Sequence, residues 1–488
     1  MYYLHTMNYL LNAKFTGKLN RIILAILVVL LSFTNMAKTA NADEPTAQQA
    51  ADDRKALPIQ SNEIDNWPTG PAISAKSAIL MEAKTGTILY AKNINEELYP
   101  ASTTKIMTCL LAVENANLSD SIKFSEEAVH SVPADGSSIG MDAGQSISLE
   151  QALYGIMVGS ANEVANAVAE HVSGSIDKFV QQMNTRAKEL GCANTHFSNT
   201  NGLQDDQHYT SVYDLALISK QFFNNELLCK VANTPRYHFT PTANQPDDFY
   251  LNNKHKLITG EVPYEGIIGG KTGYTDLAKE TLVTCAEKNG MKLICIVFVE
   301  DSPMQFTDTV TLFDYGFNNF RALNIADNDN RYMPDDSLFF ESDNDVFGKS
   351  GTILKLNSSD CIIVPKASTI ENTEYKISYD LTEEDKKEDP AAVAKIMYTY
   401  SGTPVGKALV SYSNQRHTAS DLIQTTKPIF INIKILLFIA VAIVILSFFF
   451  GSMSTKAVSN RKFSSRSDRI RYKRRKRESR RSRFRTKF

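Results

Sequence analysis

The chain has 488 residues, of which 43% are hydrophobic and 22% are charged. This composition excludes a disordered or fibrous chain and suffices for two or three globular domains. The net charge of -2 hides an asymmetry, because residues 456–488 hold sixteen Lys or Arg against only Asp468 and Glu478. An acidic body with a basic end indicates that the two parts face different environments.

The amino end carries the features of an export signal. Residues 22–33 form an apolar run that follows Lys14, Lys18 and Arg21, and an Ala-Asn-Ala triplet stands at 40–42. A basic flank, a short apolar stretch and small residues are typical of a secretory signal peptide, and the run is too short to cross a bilayer. We therefore assign residues 1–42 to a signal peptide.

The next segment, residues 43–73, is polar and rich in proline, which predicts a linker. A folded domain is then predicted over residues 74–325. The spacing of apolar residues and the turn residues between them indicate both helices and hairpins, and Ser148 with Gln151 forms a capping box. The predicted strands are 77–81, 87–90, 281–285 and 292–299, and the predicted helices are 102–113, one after Ser148, 163–171 and 212–223.

A change of character follows this domain. Short strand-like runs occur at 351–356, 361–364, 375–379 and 408–412. These runs predict a small all-β domain over residues 326–415.

A single transmembrane helix is predicted at residues 429–450, where only Asn432, Lys434 and Ser447 interrupt an apolar run. At about 1.5 Å per residue, this run can cross about 30 Å of hydrocarbon. The positive-inside rule keeps the basic tail at 451–488 in the cytoplasm. We expect a single-pass membrane protein whose folded part lies outside, and whose tail contacts anionic lipid rather than nucleic acid.

The cysteines and histidines indicate neither a disulfide framework nor a metal centre. The six cysteines show no C-x-x-C spacing and lie in apolar runs, which favours buried free thiols. No H-E-x-x-H motif occurs among the eight histidines. We expect no metal and no cofactor.

Ser102 and Lys105 form an S-x-x-K motif at the start of a predicted helix. Positions i and i+3 share a helix face, so the amine lies beside the hydroxyl. A serine hydroxyl needs an adjacent base at neutral pH, and burial with a cationic neighbour can lower the pKa of a lysine enough for that role. Taken alone, however, this short motif also occurs by chance.

A second polar triplet is Ser160-Ala161-Asn162. Its hydroxyl can relay a proton, and its amide can hold a substrate carbonyl. The alternative is a purely structural role, because Ser160 and Glu163 also have the spacing of a capping box.

A third triplet, Lys271-Thr272-Gly273, stands just before the second predicted hairpin. The amine and the hydroxyl can hold a carboxylate, and the glycine lets a substrate backbone lie against a strand edge. A solvent-exposed turn is the alternative.

In this order, the three motifs match the set found in penicillin-binding proteins and class A β-lactamases. The chain resembles the low-molecular-mass penicillin-binding proteins, specifically the serine-type D-alanyl-D-alanine carboxypeptidases of the S11 peptidase type. The resemblance covers residues 74–320, and the β segment to about residue 412 also resembles the second domain of that family. The segments that carry it are 100–108, 199–203, 208–216 and 270–275.

The resemblance implies an α+β fold: a β-lactamase-like transpeptidase domain whose antiparallel sheet is flanked by helices. It also implies a bacterial enzyme that hydrolyses the terminal D-Ala-D-Ala bond of peptidoglycan stem peptides through a serine acyl-enzyme, with β-lactams as inhibitors. The implied site residues are Ser102 as nucleophile, Lys105 as base, Ser160 for proton transfer, Asn162 to hold the peptide, Lys271, Thr272 and Gly273 to bind substrate, and the backbone N–H groups of Ser102 and Tyr274 as the oxyanion hole.

Two positions depart from the pattern of the resembled family. Ala161 stands where that family often has glycine, and a small residue should fit there. Residues 299–302 lack an arginine that many relatives carry to help bind the substrate carboxylate. The two acids in that place, Glu300 and Asp301, predict weaker carboxylate binding.

Other functions remain open at this stage. A D,D-endopeptidase or a transpeptidase uses the same residues, and a non-catalytic β-lactam or wall-binding sensor is a further alternative. A β-lactamase needs a deacylating glutamate, for which the chain offers no convincing candidate. Residues 266–272 resemble a phosphate-binding loop, but Glu265 stands where that motif needs glycine.

Overall fold

The computed structural model describes residues 46–329, residue 331 and residues 354–412. The predicted signal peptide, the predicted span at 429–450 and the basic tail at 451–488 lie outside these residues. Within them, no helix combines the length and the apolar character needed to cross a membrane.

This part of the chain contains helices and strands in mixed order. The α-helices are α1 (Ala47–Lys55), α2 (Lys105–Asn115), α3 (Glu126–His130), α4 (Leu149–Met157), α5 (Asn162–Ser173), α6 (Ile176–Glu189), α7 (Val212–Phe223), α8 (Glu226–Ala232), α9 (Lys256–Thr259), α10 (Met304–Asn319), α11 (Ile325–Asn328) and α12 (Glu383–Glu388). The strands are β1 (Ser77–Glu82), β2 (Ile88–Lys92), β3 (Ser121–Lys123), β4 (Ser146–Ser148), β5 (Arg236–Phe239), β6 (Phe249–Asn252), β7 (Ile267–Thr275), β8 (Lys279–Lys288), β9 (Met291–Glu300), β10 (Phe320–Asn324), β11 (Leu354–Leu356), β12 (Cys361–Pro365), β13 (Glu374–Ser378), β14 (Ala392–Tyr400) and β15 (Thr403–Tyr412).

A five-stranded antiparallel sheet forms the centre of the fold, with the strand order β2-β1-β9-β8-β7. Strand β9 is apolar along most of its length because both faces of the sheet are covered. Ile294 and Ile296 face a core shared with α2, α4, α5 and α7. Cys295 and Val297 face the opposite core, shared with α10. The expected α+β class, with helices flanking an antiparallel sheet, is confirmed.

Several predicted elements coincide with observed ones. Helix α7 has the predicted bounds, the 163–171 prediction lies within α5, and both predicted hairpins form as β1–β2 and β8–β9. The capping box of Ser148 and Gln151 is present at the start of α4. The six cysteines are free thiols, as expected, but only Cys109, Cys285 and Cys295 are fully buried.

A second antiparallel sheet follows, with the order β10-β12-β15-β14-β13 and with β11 paired to β15. It lies largely within the predicted small all-β region, but its first strand, β10, begins before residue 326, and the region also contains α12. Strand β14 was not predicted, although its alternation is visible in the sequence, since Ala394, Ile396 and Tyr398 are buried. An acidic run precedes β14 and forms α12.

The segment predicted as a linker differs from expectation where the structure describes it. It forms α1 and a 3₁₀ turn (Gln60–Glu63), and it then places Trp67 between the two sheets. The Trp67 ring lies 4.9 Å from that of Phe320 and 5.8 Å from that of Tyr400, and its Nε1 donates to the Leu89 carbonyl at 3.0 Å. The prolines interrupt regular secondary structure here, but the contacts of Trp67 hold the segment against the two sheets.

Arg54, at the end of α1, meets the two acids that follow β9. Its Nη2 lies 2.5 Å from Asp301 Oδ2 and 3.6 Å from Glu300 Oε1, and its Nε donates to the Ser74 carbonyl at 2.7 Å. The Ser74 hydroxyl contacts both Glu300 and Asp308, each at 3.1 Å. Glu300 is therefore a buried carboxyl beside a second acid.

Glu300 predicts a pH dependence of stability. Burial, followed by the neighbouring Asp308, raises the pKa of Glu300 from 4.5 to about 8. A carboxyl with a raised folded-state pKa stabilises the fold at low pH, and this stabilisation is lost as the pH rises through 8. We expect the melting temperature to fall between about pH 4.5 and pH 8 and to level off above pH 8, by about 2–4 °C per kcal/mol lost.

Circular dichroism melts at several pH values check this expectation. Glu300→Gln should flatten the slope, whereas the exposed Glu374→Gln should leave it unchanged. An unchanged slope in Glu300→Gln would assign the effect to another group.

Candidate active site

Ser102 lies in a tight 3₁₀ turn (Ala101–Thr104) that leads directly into α2. Ala101 has φ of 49°, a left-handed conformation that costs of order 1–3 kcal/mol for a non-glycine residue. Gly202 presses against this turn, since a Cβ at Gly202 would stand 1.8 Å from the Ala101 carbonyl oxygen. The surrounding structure thus holds the serine in an otherwise unfavoured turn.

Lys105 is fully buried, and its Nζ contacts three oxygen atoms. These are Ser102 Oγ at 2.9 Å, Asn162 Oδ1 at 2.7 Å and the Asn201 carbonyl oxygen at 2.6 Å. Burial, followed by the charge of Lys271, lowers the pKa of Lys105 well below 10.5. The environment therefore favours the neutral amine.

The number of hydrogens on the neutral Lys105 amine determines which partner its lone pair faces. The oxygens of Asn162 and Asn201 can only accept hydrogen bonds, so they take the two hydrogens of a neutral amine. The lone pair of Lys105 then remains for the Ser102 hydroxyl. This is the arrangement that a serine nucleophile and its general base require.

Ser160 stands outside helix α5 and does not cap it. Its φ is 60°, and the N-cap residue of α5 is Ala161, which makes no side-chain capping bond. Glu163 instead accepts hydrogen bonds from Ser138 Oγ at 2.8 Å and from the Ile139 N–H at 2.7 Å. The capping-box interpretation of Ser160 is therefore wrong, and its hydroxyl is left for the site.

The third motif lies within β7, at the edge of the central sheet and just before the β8–β9 pair, so the solvent-exposed turn is wrong. The phosphate-loop alternative is therefore wrong as well, since no helix follows Lys271. Lys271 Nζ donates to Ser160 Oγ at 3.0 Å and to the Thr272 carbonyl at 2.8 Å. Burial, followed by the charge of Lys254, lowers the pKa of Lys271 to about 7.

Gly273 permits the close approach of β7 to the serine turn. A Cβ at this position would stand 2.5 Å from Thr281 Oγ1 and 2.8 Å from the Ser102 nitrogen. Thr281 Oγ1 in turn donates to the Pro100 carbonyl at 2.9 Å. The edge of β7 and the nucleophile turn are thus brought side by side.

These motifs surround an open cleft of about 740 Å³. Lys105 and Lys271 lie behind its wall and are buried, whereas the half-exposed ring of Tyr274 stands at its rim. The eight predicted site residues are therefore brought together. Those that line the cleft are Ser102, Ser160, Asn162, Thr272, Gly273 and Tyr274.

The acids that were expected to weaken carboxylate binding do not face the cleft. Glu300 and Asp301 are absent from its lining and contact Arg54 instead. Ala161, the other departure, is fully buried.

Sequence reasoning missed Asn201 and Lys254. Asn201 acts through its backbone carbonyl, which no residue pattern reveals. Lys254 is an exposed lysine that lines the cleft, and its charge lowers the pKa values of both Lys105 and Lys271. No motif in the sequence marks Lys254, so only the folded chain identifies it.

The chain is similar to a known protein family and to individual members of it. Residues 64–302 match the family described as D-alanyl-D-alanine carboxypeptidase. D-alanyl-D-alanine carboxypeptidase DacF of Bacillus subtilis is 40% identical over 51% of this chain, which spans 64% of that relative. The D-alanyl-D-alanine carboxypeptidase of Streptomyces sp. (strain K15) is 31% identical over 51% of this chain and 89% of its own length.

A solved structure shares the fold over a longer stretch. Penicillin binding protein 5 from Haemophilus influenzae aligns with 71% of this chain and 98% of its own length, at 23% identity and a TM-score of 0.55. The share of this chain that aligns is larger than the stretch of the family match, residues 64–302.

The charge of Lys254 predicts a shift in the pH dependence of Ser102 reactivity. Lys254→Met removes a like charge, so the pKa of Lys105 rises and its neutral form appears at higher pH. The acid limb of Ser102 modification by a serine-directed acylating reagent should move to higher pH. Lys256→Met is the matched control, because Lys256 also lines the cleft but does not contribute to either shift. An equal shift in both variants would contradict the assignment.

Proposed function

The chain belongs to the D-alanyl-D-alanine carboxypeptidase family of serine peptidases, and from this premise we propose that it removes the terminal D-alanine from peptidoglycan stem peptides. The observation that carries the proposal is the position of Lys105 Nζ, 2.9 Å from Ser102 Oγ and with two carbonyl acceptors on its other sides. The proposed role is to trim cell-wall peptides.

The first half of the proposed reaction forms an acyl-enzyme. Ser102 Oγ attacks the carbonyl between the two D-alanines while Lys105 takes its proton. The backbone N–H groups of Ser102 and Tyr274 stabilise the oxyanion. The C–N bond then breaks, and the leaving amine receives a proton from Lys105 through Ser160. Penicillin acylates the same serine but leaves slowly.

The second half releases the peptide. A water molecule attacks the Ser102 ester and gives a proton to Lys105. The ester C–O bond breaks, Ser102 Oγ takes the proton back from Lys105, and the peptide leaves with a new carboxylate. Asn162 holds the peptide. Lys271 and Thr272 bind the terminal carboxylate, and the charge of Lys254 at the cleft wall favours the same anionic group.

Removal of the nucleophile tests the reaction. In the full-length chain in detergent, we expect Ser102→Ala to abolish labelling by a fluorescent penicillin and to lower D-alanine release from a peptide ending in D-Ala-D-Ala by at least about 10³-fold. Ser121→Ala, an exposed serine in β3, is the control and should retain both activities. Absence of labelling in the wild-type chain would refute the proposal.

Partial outcomes of this experiment distinguish the alternatives. Labelling without D-alanine release would favour the non-catalytic sensor. Cleavage of cross-linked dimers into single stem peptides, without D-alanine release from free stem peptides, would favour the D,D-endopeptidase.

The proposed location is a bacterial cell membrane, with one span at 429–450, the enzyme outside and the tail at 451–488 in the cytoplasm against anionic lipid. It is supported by the apolar run, the basic tail and the signal-like amino end. Protease added to intact spheroplasts should digest the folded part and spare a tag on the carboxyl end. Digestion of that tag before permeabilisation would contradict the orientation.

A further inference from the structure

His208 is a buried histidine that the proposed reaction does not use. It is 1% exposed, and its Nδ1 accepts a hydrogen bond from the Ser198 backbone N–H at 3.0 Å. A backbone N–H can only donate, so Nδ1 must be the unprotonated nitrogen of the ring. The neutral ring then carries its hydrogen on Nε2.

The Nε2 of His208 lies 2.8 Å from Thr104 Oγ1, which lies 2.8 Å from the Ala101 carbonyl oxygen. Because Nε2 donates, the Thr104 oxygen accepts and passes its own hydrogen to Ala101. Every donor in this chain of hydrogen bonds points the same way, from Ser198 to Ala101. The chain ends on the left-handed residue that directly precedes Ser102.

We propose that His208 is a positioning residue that, through Thr104, fixes the strained turn at Ala101 and so holds the Ser102 hydroxyl in line with Lys105. This inference rests on the proposed acyl-enzyme chemistry. Gly202 lets its backbone lie close to the Ala101 carbonyl, and the Thr104 hydroxyl donates a hydrogen bond to that carbonyl. Loss of either hydrogen bond frees the carbonyl and with it the serine.

The neutrality of His208 separates this role from base catalysis. Burial lowers the pKa of His208 to about 3, and the charges around it are Asp205, which opposes that shift, and His196 and Lys105, which add to it. A charged ring would also place a hydrogen on Nδ1 against the Ser198 N–H. His208 therefore stays in one protonation state through the pH range in which Lys105 works.

The test is the second-order rate of acylation by a fluorescent penicillin, measured with the full-length chain in detergent beside its melting temperature. His208→Leu and Thr104→Val each remove one link and should slow acylation by about tenfold or more, since small misplacements of a reacting group are costly. Thr104→Ser keeps the hydroxyl and should stay within about twofold of wild type. In the double variant the second change should add little, because both residues act in one chain.

Thr373→Val is the matched control. Its Oγ1 also donates to a carbonyl three residues back, that of Ile370 at 2.6 Å, but it lies outside the cleft lining. It should lower the melting temperature and leave the acylation rate unchanged. The position of the acid limb should be the same in wild type and His208→Leu.

The inference is overturned if Thr104→Val acylates within twofold of wild type, if the two single effects multiply in the double variant, or if the acid limb moves in His208→Leu. A wild-type chain that penicillin does not label would instead overturn the proposed function, so the two failures are distinguishable.

Discussion

Two lysine amines, those of Lys105 and Lys271, are buried at this site, and no carboxylate within the described residues hydrogen-bonds to either of them. Removing an ammonium group from water costs several kcal/mol when no opposite charge compensates. The chain meets this cost by supplying hydroxyl, amide and carbonyl oxygens and by lowering both pKa values. Because the two amines also repel each other's charge, one of them is available as a base near neutral pH.

This arrangement needs three distant segments to approach more closely than ordinary side chains allow. Gly273 and Gly202 stand where a Cβ would collide with the turn around Ser102. Ala101 and Ser160 adopt left-handed conformations on either side of the cleft. The two apolar cores that cover both faces of the central sheet provide the rigidity that keeps these residues in place. The site is thus strained locally and supported by the packing behind it.

The fold determines which charged residues line the cleft. The body of the chain is acidic, yet Lys254 and Lys256 line the cleft. The two acids at the end of β9, Glu300 and Asp301, contact Arg54 of the amino-terminal helix and do not line the cleft. The cleft thus presents two lysines without an arginine after β9, and the acids Asp135, Asp276 and Glu280 line it as well.

Much of this protein follows from its sequence. The periodicity of apolar residues predicts α7 and the β8–β9 hairpin closely, because helix and strand periods depend only on local geometry. The three short motifs and their order identify the side chains that now surround one cleft, because each chemistry needs particular residue types at a short spacing.

Other features appear only in the folded chain, because they depend on contacts between residues far apart in sequence. The Asn201 carbonyl that directs the lone pair of Lys105 is a backbone atom with no residue preference. Ser160 has the spacing of a helix cap, and only the contact of Glu163 with the loop at Ser138 shows that it is not one. The pairing of Glu300 and Asp301 with Arg54 joins positions almost 250 residues apart (the Arg54–Asp301 separation is 247). Local sequence patterns identify the reacting groups. Their protonation states and hydrogen-bond partners depend on residues that only folding brings close.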